Sequence, residues 1–128
     1  MNTATQLRCV LMEGQWTQAS ASSSFQATNP QTRAPLEESY PVSDWADCDR
    51  VLDAATRAFS VLQGLPVERI ASFLEAYADR IEKRAVEIAQ LANLETALPV
   101  SPRLQDVELP RTTGQLRQAA VAAREESW

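Results

Sequence analysis

SDWADCDRVLDAATRAFSVLQGLP, residues 43–66, is the stretch whose reading decides the fold. Cys48, Val51, Leu52, Ala55, Ala58, Phe59 and Leu62 recur at the three- and four-residue spacing of an α-helix. Ser43 or Asp44 can cap its free N–H groups, and Asp44, Asp47 and Asp49 crowd the first turns, where the helix dipole favours negative charge. Gly64 closes the helix, and Pro66 prevents its continuation.

Downstream of this helix the periodicity continues. A second helix is predicted from Pro66 or Val67, with Ile70, Phe73, Leu74, Tyr77, Ala78 and Ile81 on one apolar face. Its solvated side carries Glu75, opposed to Asp79, and Asp79, attracted to Lys83. The pattern runs on through Ala85, Ile88, Ala89, Leu91 and Ala92 after a bend near Arg84, and Pro99 ends it. Residues 100–110 are ambiguous, because Leu104 and Val107 read as helical while Pro110 removes a hydrogen bond and clashes with the carbonyl four residues back. Thr112 and Gln115 match a capping box, so a fresh helix is expected there, with Leu116, Ala119, Ala120 and Ala123 as its apolar face.

Upstream the chain reads as strands and turns. Residues 7–12 are an apolar run, Glu13-Gly14-Gln15 a tight turn into Trp16-Thr17, and residues 19–24 a Ser/Ala loop or hairpin tip. Phe25 to Thr28 resumes a strand, and Asn29-Pro30-Gln31-Thr32 is a strong turn signal. The expectation is thus a single unit, with strands and turns over residues 1–42 and three to four helices over residues 43–128.

Composition bounds the function. An apolar content of 45% permits a core, and 23% charged residues suit a soluble surface. The net charge is −5, with eleven scattered arginines and Lys83 as the only lysine, so no basic stripe matches a phosphate backbone and no nucleic-acid partner is expected. Residues 1–6 lack the pattern of a secretory signal, and no apolar run approaches the ~20 residues of a membrane span, so a cytoplasmic protein is expected. There is no histidine, and Gly14, Gly64 and Gly114 lie too far apart for a GxGxxG or Walker loop.

Individual residues invite sharper readings. Cys48 could be a nucleophile, yet its place on the helical stripe favours a buried structural thiol, and Cys9 in its apolar run is read the same way. Asp44, Asp47 and Asp49 could suggest a metal, but they lack the spacing of a cation loop, and dipole complementarity accounts for them. Trp16, Trp45 and Trp128 are too dispersed for a stacking platform and read as packing residues.

Taken in order, the pieces resemble the opening of an aldehyde dehydrogenase. Gly14-Gln15-Trp16 is similar to that family's Gly-x-Trp turn, and Asn29-Pro30-Gln31-Thr32 to its Asn-Pro-x-Thr turn. Residues 49–59 are similar to its alanine-rich helix ending in Phe, and Pro66-Val67-Glu68-Arg69 to its Pro-x-x-Arg helix start. Leu94-Glu95-Thr96-Ala97-Leu98-Pro99 resembles its Glu-Thr-Gly-x-Pro. The block from Arg111-Thr112-Thr113-Gly114 to Trp128 resembles the branch that oxidises 2-oxoglutarate semialdehyde (2,5-dioxopentanoate) to the acid. Two departures stand out: Leu109-Pro110 replaces a glycine-containing approach, and Ala97 stands where a helix-ending Gly is usual, although alanine disfavours the left-handed cap.

The resemblance implies an α/β fold of which this chain is the mainly α N-terminal part, belonging to the cofactor-binding domain and truncated. It further implies that NAD or NADP serves the intact enzyme, and that the nucleotide loop, general-base Glu and nucleophilic Cys lie beyond the position of Trp128. No catalytic, cofactor-binding or metal-binding residue is therefore assigned here, no cofactor is expected to bind this chain alone, and no activity of its own is expected. Self-association, or association with the rest of such an enzyme, is the partner expectation. The alternative reading is a free-standing helical interaction module, which could itself pair with a separately encoded remainder.

Overall fold

A computed structural model describes residues 7–127. Trp128 and residues 1–6, on which readings of packing and of a missing signal sequence rested, lie outside the described residues. The order of elements is β1 (Val10–Met12), β2 (Gln15–Thr17), β3 (Ala21–Thr28), β4 (Pro35–Ser43), α1 (Trp45–Leu62), α2 (Val67–Lys83), α3 (Ala85–Thr96), a wide helical segment Val100–Glu108, and α4 (Leu109–Glu125). Contacts divide the chain into Met1–Gln63 and Gly64–Trp128.

In the first unit, β1 and β2 form one antiparallel hairpin and β3 and β4 another. The β1–β2 turn needs positive φ at both Glu13 (52°) and Gly14 (81°), which is why a glycine sits there. Residues 19–24 are not a hairpin tip. The strand β3 already starts at Ala21, and Ser23 and Ser24 pair with Val42 and Pro41. Small polar residues serve well in a strand whose faces are largely exposed. The tip lies instead at the Asn-Pro-Gln-Thr sequence, where Asn29 Oδ1 accepts from the Gln31 N–H (2.9 Å) and the Asn29 N–H donates to Ala34 O (2.9 Å).

Asp44 caps α1, its side chain accepting from the Asp47 N–H at 3.0 Å. The helix ends at Leu62, before Gly64, and its cap residue Gln63 keeps right-handed angles. The apolar stripe read from the sequence is present but bare: Leu52, Phe59 and Leu62 are largely exposed, and the buried residue of α1 is Asp47.

The second unit is built on α2 and α4. Ala71, Ala120 and Ala123 are buried together, with Ile70 and Leu74 packed against them, and Ala78 and Thr113 are buried as well. The sequence reading placed Phe73 and Tyr77 on the packed face. The structure turns them outward, stacked on each other at 6.3 Å, because alanines allow the closer helix approach. Ion pairs run across the helices rather than along α2. Arg117 reaches Asp79 (2.9 Å) and Glu82 (2.8 Å), and Arg124 reaches Glu68 (2.8 Å) and Glu75 (2.6 Å). Residue numbers rise along α2 as they fall along α4, so the two helices are antiparallel.

The Arg124 guanidinium, with help from the Ser72 hydroxyl, pulls the Glu68 carboxyl down from 4.5 to about 2. A carboxylate depressed on folding contributes stability above its unfolded value and loses it as pH falls through the folded one. Helical content followed by far-UV circular dichroism should therefore weaken as pH falls from 4.5 towards 2, more steeply than in an Arg124→Gln variant. Added salt should shrink the difference, since the pair is exposed.

The bend near Arg84 is a true break, with φ −112° and ψ 16° between α2 and α3. At the end of α3, Ala97 does adopt the left-handed cap (φ 62°, ψ 7°), alanine notwithstanding. Its N–H donates to Asn93 O (2.8 Å), and Asn93 Nδ2 donates to Leu98 O (2.7 Å), so the surrounding bonds hold it there. An L-residue in that region costs about 1–2 kcal/mol. Ala97→Gly should thus stabilise the end of α3 by about 1 kcal/mol after the entropy of a more flexible unfolded chain is charged against it, measured as slower amide hydrogen exchange there.

No new helix starts at Thr112. Ser101 is extended (φ −119°, ψ 139°), and the helical residues after it continue into α4, inside which the Thr112 hydroxyl donates to Glu108 O (2.9 Å). Wide turns make this possible: the Leu104 N–H donates to Pro99 O, and the Leu109 N–H to Leu104 O, each five residues back. Pro110, which has no N–H to donate, follows directly on the wide turn closed by the Leu109 N–H.

Candidate functional site

The start of α1 collects three aspartates, Asp44, Asp47 and Asp49. Asp44 is spent on capping. Asp47 Oδ2 accepts from the Ser20 N–H at 2.6 Å, and its other oxygen lies 3.7 Å from Arg50. Asp47 is a buried tie between the approach to β3 and α1, a role for which the sequence carried no signal beyond the dipole argument. Among the described residues no cluster of three metal-ligating side chains occurs.

Two cavities lie in the first unit, one of them against this helix start. One, of about 320 Å³, is lined mainly by apolar groups of β1 and α1, including Met12, Cys48, Val51 and Leu52. The other, of about 770 Å³ and open, is lined by Leu7, Arg8, Cys9, Trp16, Glu38 and Tyr40. Arg8 and Glu38 are joined there by a two-pronged ion pair, which raises the Arg8 guanidinium above its ordinary value.

Neither cysteine is fully buried. Cys48 is half-buried on the groove wall, and Cys9, just before β1, accepts a weak bond from Gln18 Nε2 (3.3 Å). The chain has no histidine; Cys48 shares its cavity wall with Asp47, and Cys9 shares its own with Arg8. Trp16 and Trp45 are 71% and 82% exposed, so they are not packing residues within this chain. Three-residue strands and the first residue of a helix have too little structure around them to cover an indole.

A nicotinamide dinucleotide needs free N–H groups at a helix start to hold its pyrophosphate. Here the side chain of Asp44 caps the start of α1, Glu68 stands in the first turn of α2 and Glu87 in that of α3, and α4 continues a preceding helix. Arg8, Arg50, Arg57, Arg84, Arg103, Arg117 and Arg124 are all paired with carboxylates. Among the described residues no helix is long and apolar enough to cross a membrane.

The sequence profile of the aldehyde dehydrogenase family matches residues 16–127. Alpha-ketoglutaric semialdehyde dehydrogenase 2 of Azospirillum brasilense is 35% identical over 108 residues, covering 84% of this chain and 20% of that protein. Malonate-semialdehyde dehydrogenase of Bacillus pumilus (strain SAFR-032) is 30% identical over 95 residues, covering 74% and 19%. Among solved structures, a NAD-dependent benzaldehyde dehydrogenase from Corynebacterium glutamicum superposes with a TM-score of 0.82 at 17% identity, over 94% of this chain and 26% of that one. An aldehyde dehydrogenase mutant from Bacillus cereus gives 0.82 at 24% identity, over 91% and 24%. The strands and helices described here are therefore the mainly α portion of that α/β fold, and the chain spans about a fifth of the length of the relatives it matches.

Proposed function

The chain belongs to the aldehyde dehydrogenase family, and from that membership we propose that its 128 residues are the opening part of the cofactor-binding domain of an NAD(P)-dependent enzyme, without activity by themselves. The whole enzyme would oxidise an aldehyde to the acid, with 2-oxoglutarate semialdehyde as the substrate, in the cytoplasm and without nucleic acid. The cofactor, held by residues outside this chain, would accept the hydride.

One observation carries the reading that these residues work only within a larger body. Large apolar side chains stand bare on two helices: Leu52, Phe59 and Val61 of α1, and Val86, Leu91 and Leu94 of α3 beside the buried Ala89. Apolar surface left uncovered in such number is the kind that a larger body covers. Semialdehyde dehydrogenases among the relatives support the substrate class, and the 2-oxoglutarate branch rests on the 35% identical relative together with the block from Arg111 onward.

The test is calorimetric titration of the purified chain with NAD⁺ and with NADP⁺. No saturable heat is expected with either. Saturable, nicotinamide-dependent binding would overturn the claim that the nucleotide site lies elsewhere.

A further inference from the structure

We propose that the free edge of β3 is a self-pairing surface, on which a second copy of this chain adds its own β3 to make a four-stranded antiparallel sheet, β4–β3–β3–β4. Among the described residues β3 pairs with β4 alone. The chain that precedes it, at Leu7 and Arg8, bonds to Ser39 along the opposite edge of the hairpin. That leaves a row of backbone donors and acceptors along eight residues, and a lone two-stranded hairpin is marginal in water.

Between irregularities near its two ends, the edge lacks the commonest protections of charge and proline. The sequence ASSSFQAT has no charge and no proline, and the regular pairing with β4 covers Ser23 to Gln26, between two irregularities. Neutrality argues for a second copy. A β3–β3 pair brings no like charges together, and it leaves Glu37 and Glu38 on the outer strands.

Stereochemistry fixes the register. A two-fold axis perpendicular to the sheet carries each face onto itself, so a residue can sit opposite only a residue from the same face. Near the middle of the regular stretch, this allows Ser24 opposite Ser24 of the second copy, or Phe25 opposite Phe25. Phe25 is 57% exposed and already stacks on Tyr40, its cross-strand neighbour, at 5.6 Å. Pairing Phe25 with Phe25 extends that stack into four rings in a row, and aromatic cross-strand pairs are the stronger choice. The contact area lies at the low end for specific dimers, so the association is weak and concentration-dependent.

Sedimentation velocity of the chain over a wide concentration range is the first test, with Phe25→Lys, which sets like charges opposite each other, and Phe73→Glu, which alters the exposed helical face instead. The expected result is a monomer–dimer equilibrium, lost in Phe25→Lys and retained in Phe73→Glu. A chain monomeric throughout, or one whose association survives Phe25→Lys, overturns the proposal, as does association abolished by Phe73→Glu alone. The register is read separately by oxidising Phe25→Cys and Ser24→Cys variants. Opposite residues lie within disulfide reach and diagonal ones do not, so a covalent dimer beyond the wild-type background is expected from Phe25→Cys only, and its appearance from Ser24→Cys instead would overturn the register.

Discussion

Ala120→Leu is expected to separate α2 from α4. Ala120 has no exposed surface and packs with Ala71 and Ala123, so the two helices approach through methyl groups. A leucine there adds three carbons where none fit, and the helices must move apart. Such overpacking costs about 3 kcal/mol at the upper end of its usual range. The separation also draws Arg124 away from Glu68 and Glu75, and Arg117 away from Asp79 and Glu82. Amide hydrogen exchange should show protection collapsing along both helices, whereas Val121→Leu, one residue on and half exposed, should leave it unchanged. Protection preserved in Ala120→Leu would mean that the alanine contact does not organise the second unit.

Leu104→Ala should be of similar or greater effect in a different place. Leu104 is the buried residue of the wide helical segment, which packs on α3 and α4. Its N–H and carbonyl also make the two five-residue bonds that join Pro99 to the start of α4. Removing the side chain should cost about 2–5 kcal/mol, the range for a large-to-small change in a core. The loss should appear as faster exchange at the end of α3 and the first turns of α4. Val107→Ala, at an exposed neighbour, should stay within about 0.5 kcal/mol.

Much of the fold was legible because helices write their period into the sequence over many turns. The helix over α1, the break at Arg84 and the ends near Pro66 and Pro99 all follow from spacing, glycine and proline. Legibility failed where two faces share one helix. Ile70 and Leu74 point towards α4 while Phe73 and Tyr77 do not, and hydrophobicity alone cannot separate them. It failed again at Thr112, because a capping box is a local pattern and the wide turns upstream depend on bonds spanning five residues. The strand β3 was missed in its first half, since serines declare neither strand nor loop until a partner strand is known. Asp47 shows the limit for the candidate site: dipole complementarity predicts an acid at that turn, but only the fold brings Ser20 to it.

The same limits bear on function. The family could be read from an ordered series of short motifs, and the matched residues 16–127 bear that out. The bare faces of α1 and α3 could not, because a sequence records which residues are apolar and not which of them the chain itself can cover.

The most direct measurement is nicotinamide reduction by the purified 128-residue chain, supplied with 2-oxoglutarate semialdehyde and either NAD⁺ or NADP⁺. The account predicts no rate above the protein-free blank with either cofactor, because it assigns the nucleophile, the base and the nucleotide loop to residues outside this chain. A rate that scales with the concentration of chain and is abolished by Cys48→Ser or Cys9→Ser would contradict it, and would place a working active site within this chain.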